Sequence, residues 1–183
     1  MYYKSEIQKK NIAWFLPRPK RDHYKGGMPL YAEEWLLELA IDILNENNPQ
    51  IIHDDPQILN LFCGMNRFGT RIDIKREVKP DIVADAHNFA YLFKKMKFDI
   101  ILADPPYSNE ESKELYNTPK LNYKKWTKEC DKVLKKGGIL IVYHKLVMPN
   151  PNPDNFEVIK RVFIGNRPYH PPRVAVYFRK KGK

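Results

Sequence analysis

An open, twisted, mostly parallel α/β sheet is the fold this chain of 183 residues predicts, and three observations carry the expectation. First, short runs rich in Ile, Val and Leu follow one another at 57–62, 70–74, 81–84, 98–103 and 139–143. They are too short for helices, and their richness in Ile, Val and Leu is that of buried parallel strands. Second, helical patterns flank or separate these runs. Third, two more strand candidates, 157–164 and 174–179, close the chain with no helix between them, which reads as an antiparallel pair. Seven strands with helices on both faces of the sheet are therefore expected.

In chain order, residues 1–29 read as an irregular segment punctuated by Pro17, Pro19, Gly26-Gly27 and Pro29, and 30–183 as a single domain. Over 31–45, apolar Trp35, Leu36, Leu39, Ile43 and Leu44 recur at helical spacing until Asn47-Asn48-Pro49 stops the pattern. Residues 87–97 suit a helix between the third and fourth strands. A polar loop from Ser108 to Lys120 precedes a helix over 123–135, with Gly137-Gly138 at the position of a C-terminal cap. No internal repeat and no linker marks a second domain.

Composition excludes several classes. The apolar fraction is 43%, and no run approaches the roughly 18 apolar residues a spanning helix needs, so no membrane segment is expected. The start, Met1-Tyr2-Tyr3-Lys4-Ser5-Glu6, has no signal-peptide core, and the cytoplasm is the expected compartment. Cys63 and Cys130 make neither a disulfide framework nor a metal-ligand set. With 32 Lys+Arg against 22 Asp+Glu, the formal charge of +10 suits a polyanionic partner. The basic residues interleave with aromatics in three groups: Arg18–Lys25 with Tyr24, Lys120–Lys125 with Trp126, and Arg167–Arg173 with Tyr169. Such mixtures suit unpaired nucleotides.

The most telling residues are Asp104-Pro105-Pro106-Tyr107, directly after the apolar run 98–103. An amine conjugated to an aromatic base is a poor nucleophile, because its lone pair is delocalised into the ring. Making it react needs two acceptors for its N–H bonds and a flat surface for the base. The Asp104 carboxylate and the Pro105 carbonyl supply the acceptors, and the Tyr107 ring supplies the surface. Consecutive prolines hold φ at about −65°, so the corner is rigid before a substrate arrives.

With that loop, the chain resembles the class I S-adenosylmethionine (AdoMet) methyltransferases, specifically the amino-methyltransferases that carry Asp-Pro-Pro-Tyr. The resemblance spans residues 24–179 and implies a Rossmann-like domain with AdoMet as cofactor. Asn60-Leu61-Phe62-Cys63-Gly64 matches the family's Asn-x-Phe-x-Gly at the end of the first strand, where glycine admits the cofactor to the backbone. Asp73, followed by Ile74, takes the place of the acid that binds the ribose hydroxyls. Asp85, followed by Ala86, takes the place of the acid facing adenine. Pro29, in the block before the first helix, falls in the segment near the methionine moiety, and Asp104 borders the cofactor as well as the target. The resemblance implies methylation of an exocyclic amine of a nucleic-acid base, DNA adenine N6 or cytosine N4 before RNA guanine N2 or adenine N6. A nucleic-acid-binding module that kept only the fold is the non-enzymatic alternative. One departure stands out. The ribose acid ordinarily follows the glycine loop by about 20 residues with a helix between, whereas Asp73 comes nine residues after Gly64. A helix does not fit there.

Overall fold

The structure, a computed structural model, describes residues 11–17, 27–29, 31–47, 55–114, 120–165 and 172–182. One sheet holds eight strands: β1 (Asn11–Phe15), β2 (Ile58–Leu61), β3 (Thr70–Asp73), β4 (Ile82–Val83), β5 (Phe98–Ala103), β6 (Leu134–His144), β7 (Phe156–Gly165) and β8 (Arg173–Lys180). Their order is β1-β7-β8-β6-β5-β2-β3-β4. Only β8 runs antiparallel to its neighbours β6 and β7; the other pairings are parallel.

All seven anticipated strands are present, and the eighth corrects the expectation. Residues 11–15, read as part of an irregular segment, pair in parallel with β7 from Asn11↔Arg161 to Phe15↔Gly165. The β7–β8 hairpin would otherwise leave an open edge, and a bare edge of N–H and C=O groups favours one more strand. Ile12 and Trp14 turn toward the core while Ala13 and Phe15 face out, the period of two that a strand requires. Trp14 meets Trp35 edge to face at 5.6 Å, tying β1 to the first helix.

That helix, α1 (Ala32–Asn47), covers one face of the sheet. Its buried residues Ala32, Leu36, Leu37, Ala40 and Ile43 pack with Ile100, Leu102, Ile139 and Ile141, and the Tyr177 hydroxyl donates to the Leu36 carbonyl at 3.0 Å. The short α2 (Asn109–Glu114) follows β5. On the opposite face, α3 (Tyr123–Val133) buries Trp126, Cys130 and Val133 against Leu59, Leu61, Ile101 and Ala103. Strand β5, buried along its whole length, alternates its side chains between these two cores.

Two further readings change. Residues 87–97 form no α-helix; they fold into 3₁₀ turns at Ala86–Asn88 and Ala90–Phe93, with Phe89 and Phe93 in the core. Helix α3 stops at Val133, before the glycines. Gly137-Gly138 instead lie where β6 bulges between its pairings Phe98↔Leu134 and Ile100↔Ile139. No described helix is long and apolar enough to cross a membrane.

Candidate active site

Four neighbouring parallel strands, β5, β2, β3 and β4, end side by side and open into one crevice enclosing about 790 Å³, open solvent at its mouth included. Phe62, Cys63 and Gly64 line it from the end of β2, Asp73 and Ile74 from β3, and Asp85 and Ala86 from β4. Asp104 and Pro106 line it from β5, and His87 and Leu121 complete the wall. Pro105 is buried, and neither it nor Tyr107 lines the crevice. Pro29 is buried too and accepts a hydrogen bond from Ala32 N–H at 3.0 Å; its neighbour Gly27 lines the crevice instead. Tyr24 to Gly26, Tyr116 to Thr118 and Arg167 to His170 lie outside the described residues.

The passage from β2 to β3 carries three residues with positive φ: Phe62 at 56°, Gly64 at 48° and Gly69 at 73°. For phenylalanine this is a strained backbone of the kind that collects at functional sites. The Phe62 ring is held by Trp126, edge to face at 5.5 Å. With no helix after Gly64, the backbone donors of this passage need acceptors from elsewhere. Glu33, in the first turn of α1, provides them: its carboxylate accepts from Arg67 N–H at 2.9 Å and Phe68 N–H at 3.0 Å. It also accepts from Asn60 Nδ2 at 2.8 Å, while Asn60 Oδ1 accepts from Asn66 Nδ2 at 3.1 Å. Burial lifts the Glu33 carboxyl above its usual range, although the hydrogen bonds from Phe68, Arg67 and Asn60 work against that shift.

Asp73 closes the same passage. Its Oδ2 accepts from Gly64 N–H at 3.0 Å and its Oδ1 from Lys75 N–H at 2.9 Å. Asp85 Oδ1 accepts from His87 N–H at 2.9 Å and lies 2.7 Å from His87 Nδ1. His87 Nε2 accepts from Asn122 N–H at 2.9 Å, so the network assigns the ring proton to Nδ1, where it is donated to Asp85. Asp85 Oδ2 has no partner among the described residues. Asp104 is half-buried, with its N–H donating to the Leu61 carbonyl at 3.3 Å. Burial and then the Asp104 charge push the Tyr107 and Tyr143 hydroxyls well above the usual phenol range. The Arg173 guanidinium stands 4.7 Å from the Tyr107 ring centroid, and the His144 ring meets the same ring edge to face at 5.1 Å.

Sequence reasoning did not single out Glu33, Asn66 or His87. Glu33-Glu34 at a helix start reads as an ordinary complement to the helix dipole. The available signal was the missing helix after Gly64, which leaves amide groups in need of an acceptor. Trp126, grouped with the basic residues as a stacking surface, is instead fully buried in the core, while Lys120, Lys124 and Lys125 are exposed.

No protein-family model and no curated protein matches this chain. Solved structures do. TrmN from Thermus thermophilus superposes with a TM-score of 0.55 at 16% identity, over 84% of this chain and 49% of its own. The chain thus spans about half the length of that protein. The N-methyltransferase NodS from Bradyrhizobium japonicum WM9, in complex with S-adenosyl-L-homocysteine, gives 0.54 at 14% identity over 82% of this chain and 86% of its own. An S-adenosylmethionine-dependent methyltransferase from Clostridium acetobutylicum ATCC 824 gives 0.52 at 14% identity over 88% and 94%. At these identities the likeness is one of fold: this chain has the Rossmann-like α/β fold of the class I S-adenosylmethionine-dependent methyltransferases, in a mixed sheet of eight strands.

Proposed function

We propose that this protein is an AdoMet-dependent N-methyltransferase acting on an exocyclic amine of a nucleic-acid base, with DNA adenine N6 or cytosine N4 as the first target and an RNA base as the second. One observation carries the reading: Asp104 opens into the same crevice as Gly64, Asp73 and Asp85.

The residues present suit the cofactor. Each Asp73 oxygen is held by one backbone N–H and keeps acceptor capacity for a ribose hydroxyl. Asp85, turned by His87, keeps Oδ2 for an adenine amino group. Phe62, Ile74, Ala86 and Leu121 provide apolar cover. When bound, AdoMet supplies a methyl carbon on a positively charged sulfur.

The chain's own part is orientation. Asp104, which lines the crevice, accepts an N–H bond of the amine and helps turn its lone pair out of conjugation. The amine becomes acidic only as the new N–C bond forms, so charge stabilisation by Asp104 outweighs strong basicity. The target base has to leave any stack to reach this point.

Incubation with tritiated AdoMet against duplex DNA, single-stranded DNA and RNA, followed by digestion to nucleosides, identifies the acceptor and the modified base. Asp104→Ala abolishes transfer while AdoMet affinity by calorimetry stays within about 3-fold, since the substitution removes an acceptor for the target rather than for the ribose. A fully active Asp104→Ala protein would falsify the reading. Absence of any AdoMet heat favours a binding module that kept only the fold.

A further inference from the structure

We propose that the rim made by Lys145, Leu146, Val147 and Arg173 is a seat for an unpaired nucleic-acid strand, which delivers its base to Asp104. The inference rests on the nucleobase reading above and adds the surface that would hold the rest of the strand.

The sheet brings these residues together. His144 at the end of β6 pairs with Val174 in β8, so Lys145 and Arg173 lie at the same end of adjacent strands, next to the loop that leaves β5. Both converge on one aromatic ring: the Arg173 guanidinium lies 4.7 Å and Lys145 Nζ 5.9 Å from the Tyr107 centroid. That ring belongs to the Asp104–Tyr107 corner that follows β5. Glu110 on α2 feels the Lys145 charge, and Tyr107 feels that of Asp104. Arg173, whose side chain also hydrogen-bonds that of Tyr107, offers a planar fork suited to phosphate oxygens.

Beside the cations, Leu146 and Val147 are 59% and 51% exposed, an apolar pair directly after Lys145. The loop is anchored: Leu146 N–H donates to His144 Nδ1 at 3.0 Å, and the His144 ring packs on Tyr107. Fixed apolar side chains next to fixed cations match a strand whose phosphates alternate with bare base faces. A protein partner would more naturally call for a broader apolar patch than two residues.

The test is fluorescence anisotropy with one labelled sequence as single-stranded DNA, as RNA and as duplex DNA, for wild type, Arg173→Gln and the double variant Leu146→Ser/Val147→Ser. Thermal melts of each protein and AdoMet calorimetry accompany it. Wild type binds single strands more tightly than duplex. Arg173→Gln weakens single-strand binding about 5-fold and flattens the salt dependence by about 0.7 in the log–log slope, the value of one phosphate contact. The apolar double variant weakens binding about 3-fold with an unchanged slope, as loss of apolar contact with the bases and no loss of charge predicts. AdoMet affinity is unaffected in both. Wild-type affinity in both folded variants overturns the proposal, as does a preference for duplex or no binding by wild type. The DNA and RNA arms identify the strand. Weakened binding in the variants without methyl transfer by wild type upholds the seat and removes the methyltransferase reading.

Discussion

The chain crosses between neighbouring parallel strands in two different ways on either side of the same crevice. From β5 to β6 it passes through α2 and α3, and α3 is self-sufficient: Asn122 caps it by accepting from Lys125 N–H at 3.0 Å, and Trp126, Cys130 and Val133 bury its apolar face. From β2 to β3 it has only residues 62–69 and no helix, although parallel neighbours ordinarily need a dozen or more residues to connect. The short route relies on positive-φ residues to turn, and on Glu33 from a distant helix to satisfy the amides a helix would have paired. A crevice of this kind is thus built without the usual glycine-loop helix, its acceptors coming from another element. The cost is dependence on long-range partners.

The sharpest way to break this comparison is one methyl group placed in each passage. An alanine Cβ at Gly69 meets the Ile58 carbonyl oxygen at 2.4 Å and Ile58 Cβ at 2.7 Å, in a residue whose φ of 73° already disfavours a side chain. Strain and overlap together give a loss of roughly 2–6 kcal/mol, enough to unfold most of a marginal domain. Gly137, at the end of the longer route, has φ of 77° but nothing within 4 Å of its missing Cβ. Gly137→Ala therefore costs only the backbone preference, about 1 kcal/mol. Urea melts of the two variants measure the difference; equal losses would show that the short passage is no tighter than the long one.

The next effect compares the two ways of satisfying amides. Glu33→Ala leaves Asn60 Nδ2, which belongs to a fully buried side chain, without its acceptor, and releases Arg67 and Phe68 to water. A stability loss of about 1–3 kcal/mol is expected, together with weaker AdoMet binding because the glycine passage loosens. Asn122→Ala removes a local cap and costs about 1 kcal/mol, with AdoMet binding less affected. The carboxyl of Glu33 adds a pH signature. Its pKa in the fold is raised above the usual 4.5, chiefly by burial. Its titration therefore contributes stability that is fully present below pH 4.5 and lost as pH rises through the folded-state pKa. Relative to Glu33→Gln, wild type should gain melting temperature as pH falls from 7 toward 4.5; a constant offset contradicts the assignment.

These two passages also divide what the sequence reveals. Strands β2, β5 and β6 were readable because burial on both faces leaves apolar runs such as Ile100 to Ala103 and Ile139 to Tyr143, and α1 because its apolar residues recur every three or four positions. Asp104 and Asp73 were legible as neighbours at strand ends, Asp104 from its double-proline corner and Asp73 from the resemblance, and both line the crevice. The rest depends on contacts distant in sequence. Glu33 meets Arg67 and Phe68 across 34 and 35 positions, and His87 meets Asn122 across 35; no local pattern announces either. Trp126 misled because an aromatic among lysines looks exposed, yet on α3 its position turns inward while Lys124 and Lys125 turn out. Strand β1 was missed because two nearby prolines suggested an irregular stretch, and its pairing partner β7 lies at the far end of the chain.

The smallest effect, and the finest comparison, uses the two thiols. Cys63 lies in the short passage and Cys130 in α3, and both are buried. Burial, reinforced by the nearby Asp73 charge, pushes the Cys63 thiol up to about 12 from 9.0, and burial likewise pushes the Cys130 thiol well above 9.0. Neither is a thiolate at pH 8, so an aromatic disulfide reagent reacts only after the chain opens. Each thiol's contribution to stability is complete below pH 9.0, and that of Cys63 is lost as pH rises from there through about 12. Opening of the passage held by Glu33 does not require α3 to leave the core, so at pH 8 Cys63 in a Cys130→Ala protein is labelled faster than Cys130 in a Cys63→Ala protein. S-adenosyl-L-homocysteine should slow only the Cys63 reaction, because Cys63 lines the crevice and Cys130 does not. Equal rates, or faster labelling of Cys130, would mean that the helix-free crossing is held as firmly as the helical one and that its long-range partners compensate fully for the missing turn.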